Sequence, residues 1–200
     1  MAEKPTFAQL VSLACHDLRT PLATASGFTH TLQRLDVLED PADRYVQMIG
    51  AASDQLSQLL DLLGAAARIE AGRFEFQARE ADSRELADTA AAQLRAGDAT
   101  ADGEGAPVSL DANWAHTALA ALGECVRRHG ALDRVTFAVD GPAVSIGPVG
   151  EGVAAIAVGD DLRDFGAAVA TRVLTAMGAD ISADGERLVV RLPQDESGLP

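Results

Sequence analysis

The residues best suited to chemistry form one run near the start of the chain, Ala14-Cys15-His16-Asp17-Leu18-Arg19-Thr20-Pro21-Leu22. An exposed imidazole at His16 can act as a nucleophile through one ring nitrogen. The neighbouring Asp17 carboxylate can accept a hydrogen bond from the other nitrogen and act as a base. Thr20 lies one helical turn further on, where its hydroxyl can orient a water molecule. Pro21 removes a backbone hydrogen bond and predicts a kink just past the site. This spacing suits phosphoryl transfer.

Two apolar seams predict the elements that carry this run. Within each seam the apolar residues recur every three or four positions, about 3.5 on average, which indicates an amphipathic helix. A short polar break, Asp36 to Pro41, predicts an antiparallel helical hairpin. His16 lies about 200° around the helix from Ala14 and Leu18, so it points to solvent. One hairpin cannot bury its own seam, and we therefore expect a homodimeric four-helix bundle. The seams comprise Phe7, Val11, Ala14, Leu18, Leu22, Ala25, Phe28, Leu32 and Leu35, then Tyr45, Met48, Ala52, Leu56, Leu59, Leu63 and Ala66.

The rest of the chain mixes helical and strand patterns, which predicts an α+β domain. Gly72 is expected to cap the second helix, and Gly97 to Pro107 is expected to form a mobile loop. Predicted helices span Ser83 to Arg95, with Ser83 as the cap, Leu119 to Arg128, and Phe165 to Met177. Predicted strands span Phe74 to Gln77, Val135 to Val139, Ala143 to Ile146 and Val153 to Val158, with a hairpin of Ile181 to Ala183 and Leu188 to Leu192.

Composition excludes several classes of protein. The 200 residues are 48% hydrophobic and carry a net charge of −14, which argues against nucleic-acid binding. No apolar run is long enough to span a bilayer, and no signal peptide is evident at the start. The two cysteines lack metal-ligand spacing and fit a reduced cytoplasmic setting. We expect a cytoplasmic protein without membrane contact.

The run His16 to Leu22 resembles the H-box of sensor histidine kinases, in their dimerisation and histidine-phosphotransfer domain. The end of the second predicted helix, Ala67 to Arg73, is also similar to that family. The resemblance implies that His16 is the phosphorylated residue and Asp17 its general base. It also implies that Thr20 helps to hydrolyse phosphorylated receiver domains.

The second half resembles the ATP-binding domain of the same family in outline only. Where the family has a Mg²⁺-binding Asn, this sequence has Glu124. The loop Ile146 to Gly152 offers no Asp for the adenine, and the phosphate loop corresponds to Asp164 to Val169, where only Gly166 is retained. Asp164 would place a negative charge against the triphosphate, and missing glycines would block the approach of its phosphates. We therefore expect no nucleotide cofactor and a degenerate nucleotide site at Glu124, Asp164 and Gly166.

Other candidate residues carry weaker patterns. His30, His116 and His129 are scattered without metal spacing. The acidic cluster Asp160, Asp161 and Asp164 could chelate a cation, but it is more typical of a solvated turn. We expect no metal site.

The residues predict a dimeric antiparallel helical hairpin followed by an α+β domain, and the resemblance implies that this second domain is a degenerate histidine-kinase-type ATPase α/β sandwich. Expected boundaries are residues 1–72 for the hairpin, 73–193 for the second domain and 194–200 for a tail. By the resemblance, phosphate passes between His16 and an Asp on a response-regulator receiver domain. The expected receiver contact comprises Arg19, Ala23, Ser26 and Gly27.

Two alternatives remain open at the level of sequence. An active ATP-dependent sensor kinase needs a nucleotide site, against which the altered motifs argue. A dimeric scaffold that binds receivers without phosphate chemistry is the other, and the intact trio of His16, Asp17 and Thr20 argues against it.

Overall fold

A computed structural model of the 200-residue chain describes residues 7–35, 41–94, 97–150 and 152–194. It divides into two compact units, residues 1–74 and 75–200. The predicted tail from residue 194 lies almost wholly outside the described residues. Within the described ranges, no helix combines the length and the apolar character needed to cross a membrane.

The first unit is a hairpin of two long helices, α1 (Phe7–Leu35) and α2 (Ala42–Glu70). Most of the predicted break between them lies outside the described residues. Gly72 ends the hairpin as predicted, with φ at +62°. Its N–H donates to the carbonyl of Ile69 at 3.0 Å, and the next N–H donates to the carbonyl of Arg68 at 2.8 Å. This Schellman arrangement satisfies the last carbonyls of α2.

Small side chains fill the contact between α1 and α2. A Cβ added at Gly50 would lie 3.2 Å from Thr29 Cγ2, so the two helices approach closely there. The buried residues of the hairpin are mostly small: Ala8, Cys15, Thr29, Gly50, Ser53, Leu62, Gly64, Ala65 and Ala67.

Large apolar side chains of the hairpin are left outside this contact. Leu18 and Leu56, both predicted to lie in the seams, are each about half exposed in the single chain. An apolar face of this extent is typical of a surface that another protein covers. The exposed members are Leu18, Phe28, Leu32, Leu35, Tyr45, Met48, Ile49 and Leu56.

The second unit places helices against a mixed sheet, as the α+β prediction requires. Its five-stranded sheet has the order β2-β4-β5-β7-β6, with β2 parallel to β4 and the other neighbours antiparallel. A separate antiparallel pair joins β1 and β3. The elements are β1 (Arg79–Asp82), α3 (Ser83–Gln93), β2 (Ala99–Gly105), β3 (Pro107–Leu110), α4 (Ala112–His129), β4 (Val135–Gly141), β5 (Ala143–Gly147), α5 (Val153–Ala157), α6 (Phe165–Ala176), β6 (Asp180–Asp184) and β7 (Arg187–Arg191).

The core lies between the sheet and the three longer helices, α3, α4 and α6. Strands β4 and β7 alternate buried and more exposed side chains, which gives the sheet one apolar face. Gly123 in α4 lets the helix approach Phe137, because an added Cβ would lie 2.5 Å from that ring. The largest fully buried side chains are Phe137, Leu110, Leu119, Leu122, Ile146, Leu174 and Leu188.

Predictions made from local sequence patterns were wrong at several points of this unit. The predicted mobile loop, Gly97 to Pro107, contains strand β2. Its Gly- and Asp-rich composition is unfavourable for a strand, but parallel pairing with β4 satisfies the backbone groups on one side of it. The predicted strand Val153 to Val158 is helix α5, whose buried residues Val153, Ile156 and Ala157 follow helical spacing.

Two predicted element boundaries at the start of the unit were also wrong. Phe74 to Gln77 is not a strand, and pairing begins only at Arg79. Helix α3 is capped by Asp82, whose carboxylate accepts the N–H groups of Arg84 and Glu85. Ser83 instead donates its hydroxyl hydrogen to the carbonyl of Gly141 at 2.6 Å and accepts the N–H of Ala106.

The pairing of strand β2 with β4 can be tested by substitution of a glycine. Gly103 has φ at +101°, and an added Cβ would lie 2.0 Å from the carbonyl oxygen of Val139. We expect Gly103→Ala to lower the free energy of unfolding by about 3 kcal/mol, from backbone strain and overpacking together. The control Gly141→Ala also has positive φ, at +55°, but open space around its Cβ, and should cost about 1 kcal/mol. Equal losses in urea denaturation would contradict the pairing of β2 with β4.

Candidate functional site

His16 lies on α1 with its imidazole turned to solvent, and its side chain is 80% exposed. Its Nδ1 lies 3.3 Å from Oδ1 of Asp17, whose side chain is also exposed. A carboxylate at this position favours the tautomer that carries the proton on Nδ1. Nε2 is then the ring nitrogen with a free lone pair, which is the form a nucleophile needs.

Thr20 and Pro21 continue the same segment of α1. Thr20 is exposed and lies one turn, about 6 Å of helix rise, beyond His16. Pro21 lies inside α1, which continues to Leu35. Because proline has no N–H, the carbonyl of Asp17 loses its usual helical partner beside His16. The segment therefore offers an imidazole, a carboxylate and a hydroxyl together at the surface.

Small groups follow His16 along α1. At about 100° per residue, Ala23 and Gly27 fall within about 20° of His16 around the helix axis. Both are exposed, and an added Cβ at Gly27 would meet nothing within 4 Å. Gly27 is therefore not needed for packing inside the single chain. The stripe His16, Thr20, Ala23 and Gly27 is open to an approaching protein.

Arg19 and Ser26, the other two predicted contact residues, lie to one side of this stripe. Arg19 Nη2 contacts Oδ1 of Asp61 on α2 at 2.6 Å, and both side chains are about half exposed. An exposed pair of this kind contributes at most about 1 kcal/mol, so Arg19 can exchange partners at little cost. Ser26 is half-buried.

The thiol of Cys15, the residue before His16, is not available for chemistry. Cys15 is buried in the hairpin, and burial raises the pKa of its thiol despite nearby Arg19. A buried neutral thiol is a poor nucleophile.

In the second unit, Glu124 is committed to an ion pair on α4. Its two carboxylate oxygens accept hydrogen bonds from Nε and Nη2 of Arg127, at 2.9 and 2.8 Å. Arg127 also lies 3.6 Å from Asp98. The carboxylate that stands at the predicted Mg²⁺ position is thus already neutralised by a guanidinium group.

Asp164 is a buried structural carboxylate. It caps α6, because its Oδ1 accepts the N–H of Ala167 at 3.0 Å. Its Oδ2 lies 3.1 Å from Nε2 of His129 and forms an ion pair with Arg128. Burial alone raises the pKa of Asp164, but the Ala167 N–H and the Arg128 guanidinium outweigh it and hold that pKa below its ordinary value.

These residues do not fit a nucleotide. Asp164 is ionised at the start of α6, where a phosphate would meet a negative charge instead of free N–H groups. Gly166 lies inside the first turn of α6 and is half-buried. Of the loop Ile146 to Gly152, the described part contains no carboxylate for an adenine amino group.

Sequence reasoning missed one cluster. Cys125 and His129 are one turn apart on α4, and each has a ligand atom within 4.8 Å of the other and of Asp164. The spacing of Cys125 and His129 was visible in the sequence, but the third member comes from another helix. His116 is instead held by Gln93 at 2.6 Å, and burial lowers its pKa. His30 lies near Asp54 in the hairpin.

Comparisons with known proteins bear on both units. Residues 8–72 match the family described as the His Kinase A (phospho-acceptor) domain. Comparison with curated protein sequences found no match.

Three solved structures resemble the chain. Acinetobacter baumannii histidine kinase AdeS aligns with a TM-score of 0.54 and 16% identity, over 90% of this chain and 98% of AdeS. Full-length ShkA in complex with AMPPNP aligns with a TM-score of 0.59 and 18% identity, over 97% of this chain but 48% of ShkA. The ATP-binding domain of PrrB from Mycobacterium tuberculosis aligns with a TM-score of 0.49 and 19% identity, over 60% of this chain and 98% of that domain. At these identities the likeness concerns the fold.

A phospho-acceptor domain is a component of two-component signalling, and it implies in general terms dimerisation and interaction with a response regulator. The hairpin match and the shared fold confirm the resemblance that the H-box indicated. Residues 8–72 belong to the His Kinase A (phospho-acceptor) domain family, and the chain shares its fold with a sensor histidine kinase.

Proposed function

We propose that this chain is a phosphorelay histidine phosphotransferase that exchanges phosphate between His16 and a response-regulator Asp without using ATP. The observation that carries this proposal is a contrast between the two units. His16 is exposed and in contact with Asp17, whereas Asp164 is buried and ion-paired where a nucleotide phosphate is expected. We assign transfer and dimerisation to residues 1–72, and the degenerate domain to 73–193, in a cytoplasmic protein.

The transfer step follows from the tautomer of His16. Nε2 attacks the phosphorus of an aspartyl phosphate, and the bond from phosphorus to the receiver's carboxylate oxygen breaks. The receiver Asp leaves as a carboxylate, and the phosphorylated ring becomes cationic because Nδ1 keeps its proton. The Asp17 carboxylate, 3.3 Å from Nδ1, stabilises that cation. The reverse reaction uses the same contacts.

The receiver would dock along the stripe next to His16. Ala23 and Gly27 carry little or no side chain there, which lets a partner helix come close to α1. Arg19 and Ser26 form the edge of this surface and supply polar contacts. Small groups next to an exposed nucleophile are what a shallow docking surface requires.

The homodimer would be built on the opposite side of α1. Leu18, Phe28 and Leu32 lie about 120–200° from His16 around the helix. A second hairpin that covers these side chains leaves His16 exposed. The buried residues within one hairpin are mostly small, so the large exposed apolar side chains are left for such a partner to cover.

The dimer can be tested by charge substitution. Leu18→Asp or Leu56→Asp should give monomers or aggregates, because each would bury an unpaired carboxylate in the four-helix bundle. The matched control is Leu162→Asp, since Leu162 is 79% exposed in the second unit and should leave the dimer intact. Light scattering at micromolar concentration distinguishes these states. A monomeric unmodified protein would rule out the bundle.

Phosphotransfer can be tested with a labelled phospho-receiver. We expect acid-labile label on the unmodified protein and none on His16→Ala, which removes the nucleophile but costs about 0.5 kcal/mol or less at an exposed position. The control is His30→Ala, because His30 is also exposed on α1 but lies away from Asp17. Label that persists in His16→Ala would show that another residue accepts the phosphate.

Substitutions at Asp17 and Thr20 should distinguish phosphotransfer to His16 from dephosphorylation of the receiver. Asp17→Asn should slow transfer by about 10²–10⁴-fold, because the ring loses its orienting carboxylate. Thr20→Ala should leave transfer intact but slow dephosphorylation of the receiver, since the hydroxyl would orient only the attacking water. Time courses of label on both proteins measure the two rates. Slower transfer in Thr20→Ala would place its hydroxyl in the transfer step.

The structural role of Asp164 has a thermodynamic test. In the presence of a chelator, Asp164→Ala should lower the free energy of unfolding by about 2 kcal/mol, from the lost α6 cap and its buried charge-assisted bonds. The exposed Asp160→Ala should change it by about 0.5 kcal/mol or less. If both variants unfold at the same urea concentration, Asp164 does not stabilise this unit.

A further inference from the structure

We propose that Cys125, His129 and Asp164 form a binding site for one divalent cation of the Zn²⁺ class, at the contact between α4 and α6. This site is separate from His16 and does not depend on the phosphotransfer proposal. It departs from the expectation that the chain has no metal site, which rested on sequence spacing alone. The three ligand atoms all lie within 4.8 Å of one another.

The backbone already brings the ligands together. Cys125 and His129 are four residues apart on α4, so their side chains lie on one face of the helix. Asp164 is fixed opposite them as the cap of α6. His129 Nε2 and Asp164 Oδ2 are 3.1 Å apart. Ligand atoms around a tetrahedral Zn²⁺ ion at its usual bond lengths are about 3.4 Å apart, so small side-chain movements suffice.

The types of ligand select the cation. A thiolate, an imidazole and a carboxylate are the three ligand types that Zn²⁺ uses in proteins, whereas Mg²⁺ and Ca²⁺ require oxygen atoms. Cys125 is 1% exposed, and the side chain of Asp164 is 3% exposed. His129, at 23%, lies toward solvent and gives the ion a route of entry. A water molecule can complete the fourth position.

The charges balance when the ion binds. The Cys125 thiol loses its proton to solvent, and thiolate plus carboxylate then neutralise the two positive charges. Arg128, which pairs with Asp164 in the described structure, must leave Oδ2. Its side chain is 51% exposed and can turn into water. Asp164 Oδ1 keeps its hydrogen bond from Ala167, which holds the carboxylate in orientation.

Cobalt(II) is the probe that tests this site, because its absorption reports thiolate coordination directly. Titration of the reduced full chain should give a thiolate-to-cobalt charge-transfer band and tetrahedral d–d bands at one equivalent, both displaced by Zn²⁺. Cys125→Ser should abolish the charge-transfer band. Cys15→Ser is the matched control, a buried thiol in the other unit, and should retain it.

Two further variants keep the test decisive if Cys125→Ser is misfolded by circular dichroism. His129→Gln should weaken Zn²⁺ binding, measured by chelator competition, by about 100-fold or more. Arg128→Gln removes the competitor for Asp164 and should bind at least as tightly as the unmodified chain. No cobalt spectrum, a spectrum that survives in Cys125→Ser, or unchanged Zn²⁺ affinity in His129→Gln would overturn the proposal. Weaker binding by Arg128→Gln would remove Asp164 from the ligand set.

Discussion

Because α1 has about 3.6 residues per turn, its side chains lie on three separate faces of the helix. One face, with Cys15 and Thr29, packs against α2 through small groups. A second carries large apolar side chains such as Phe28 that one chain leaves exposed. The third carries His16, which is free of both contacts. The proposed role of His16 as phosphoacceptor requires that another protein can reach it while its helix is held rigidly, and these three faces of α1 meet both conditions.

The second unit depends on a different constraint, the cost of burying the charge of Asp164. An unpaired buried carboxylate is strongly destabilising, so the fold supplies Ala167, Arg128 and His129 as partners. These contacts hold α4 and α6 together directly. The same carboxylate opposes a phosphate at the start of α6. The proposed loss of nucleotide binding and the stability of the helix contact would therefore have one physical origin.

Long, strongly periodic elements were predictable, and irregular ones were not. Both hairpin helices and the terminal strand pair β6–β7 follow local patterns that the sequence displays. Strand β2 depends on pairing with β4, some 36 residues away, and local composition disguised it. His16 and Asp17 are adjacent in sequence, so their contact was predictable. The cluster around Asp164 joins separate helices, so no local spacing could reveal it.

The source of phosphate tests the account most directly. Purified protein is divided between labelled ATP with Mg²⁺ and a labelled phospho-receiver, and acid-labile label on the chain is measured over time. A working nucleotide site would label His16 from ATP, whereas a phosphotransferase takes its phosphate only from the receiver. We predict rapid label from the receiver and none from ATP. Label from ATP that is lost in His16→Ala would contradict the account and establish an active kinase.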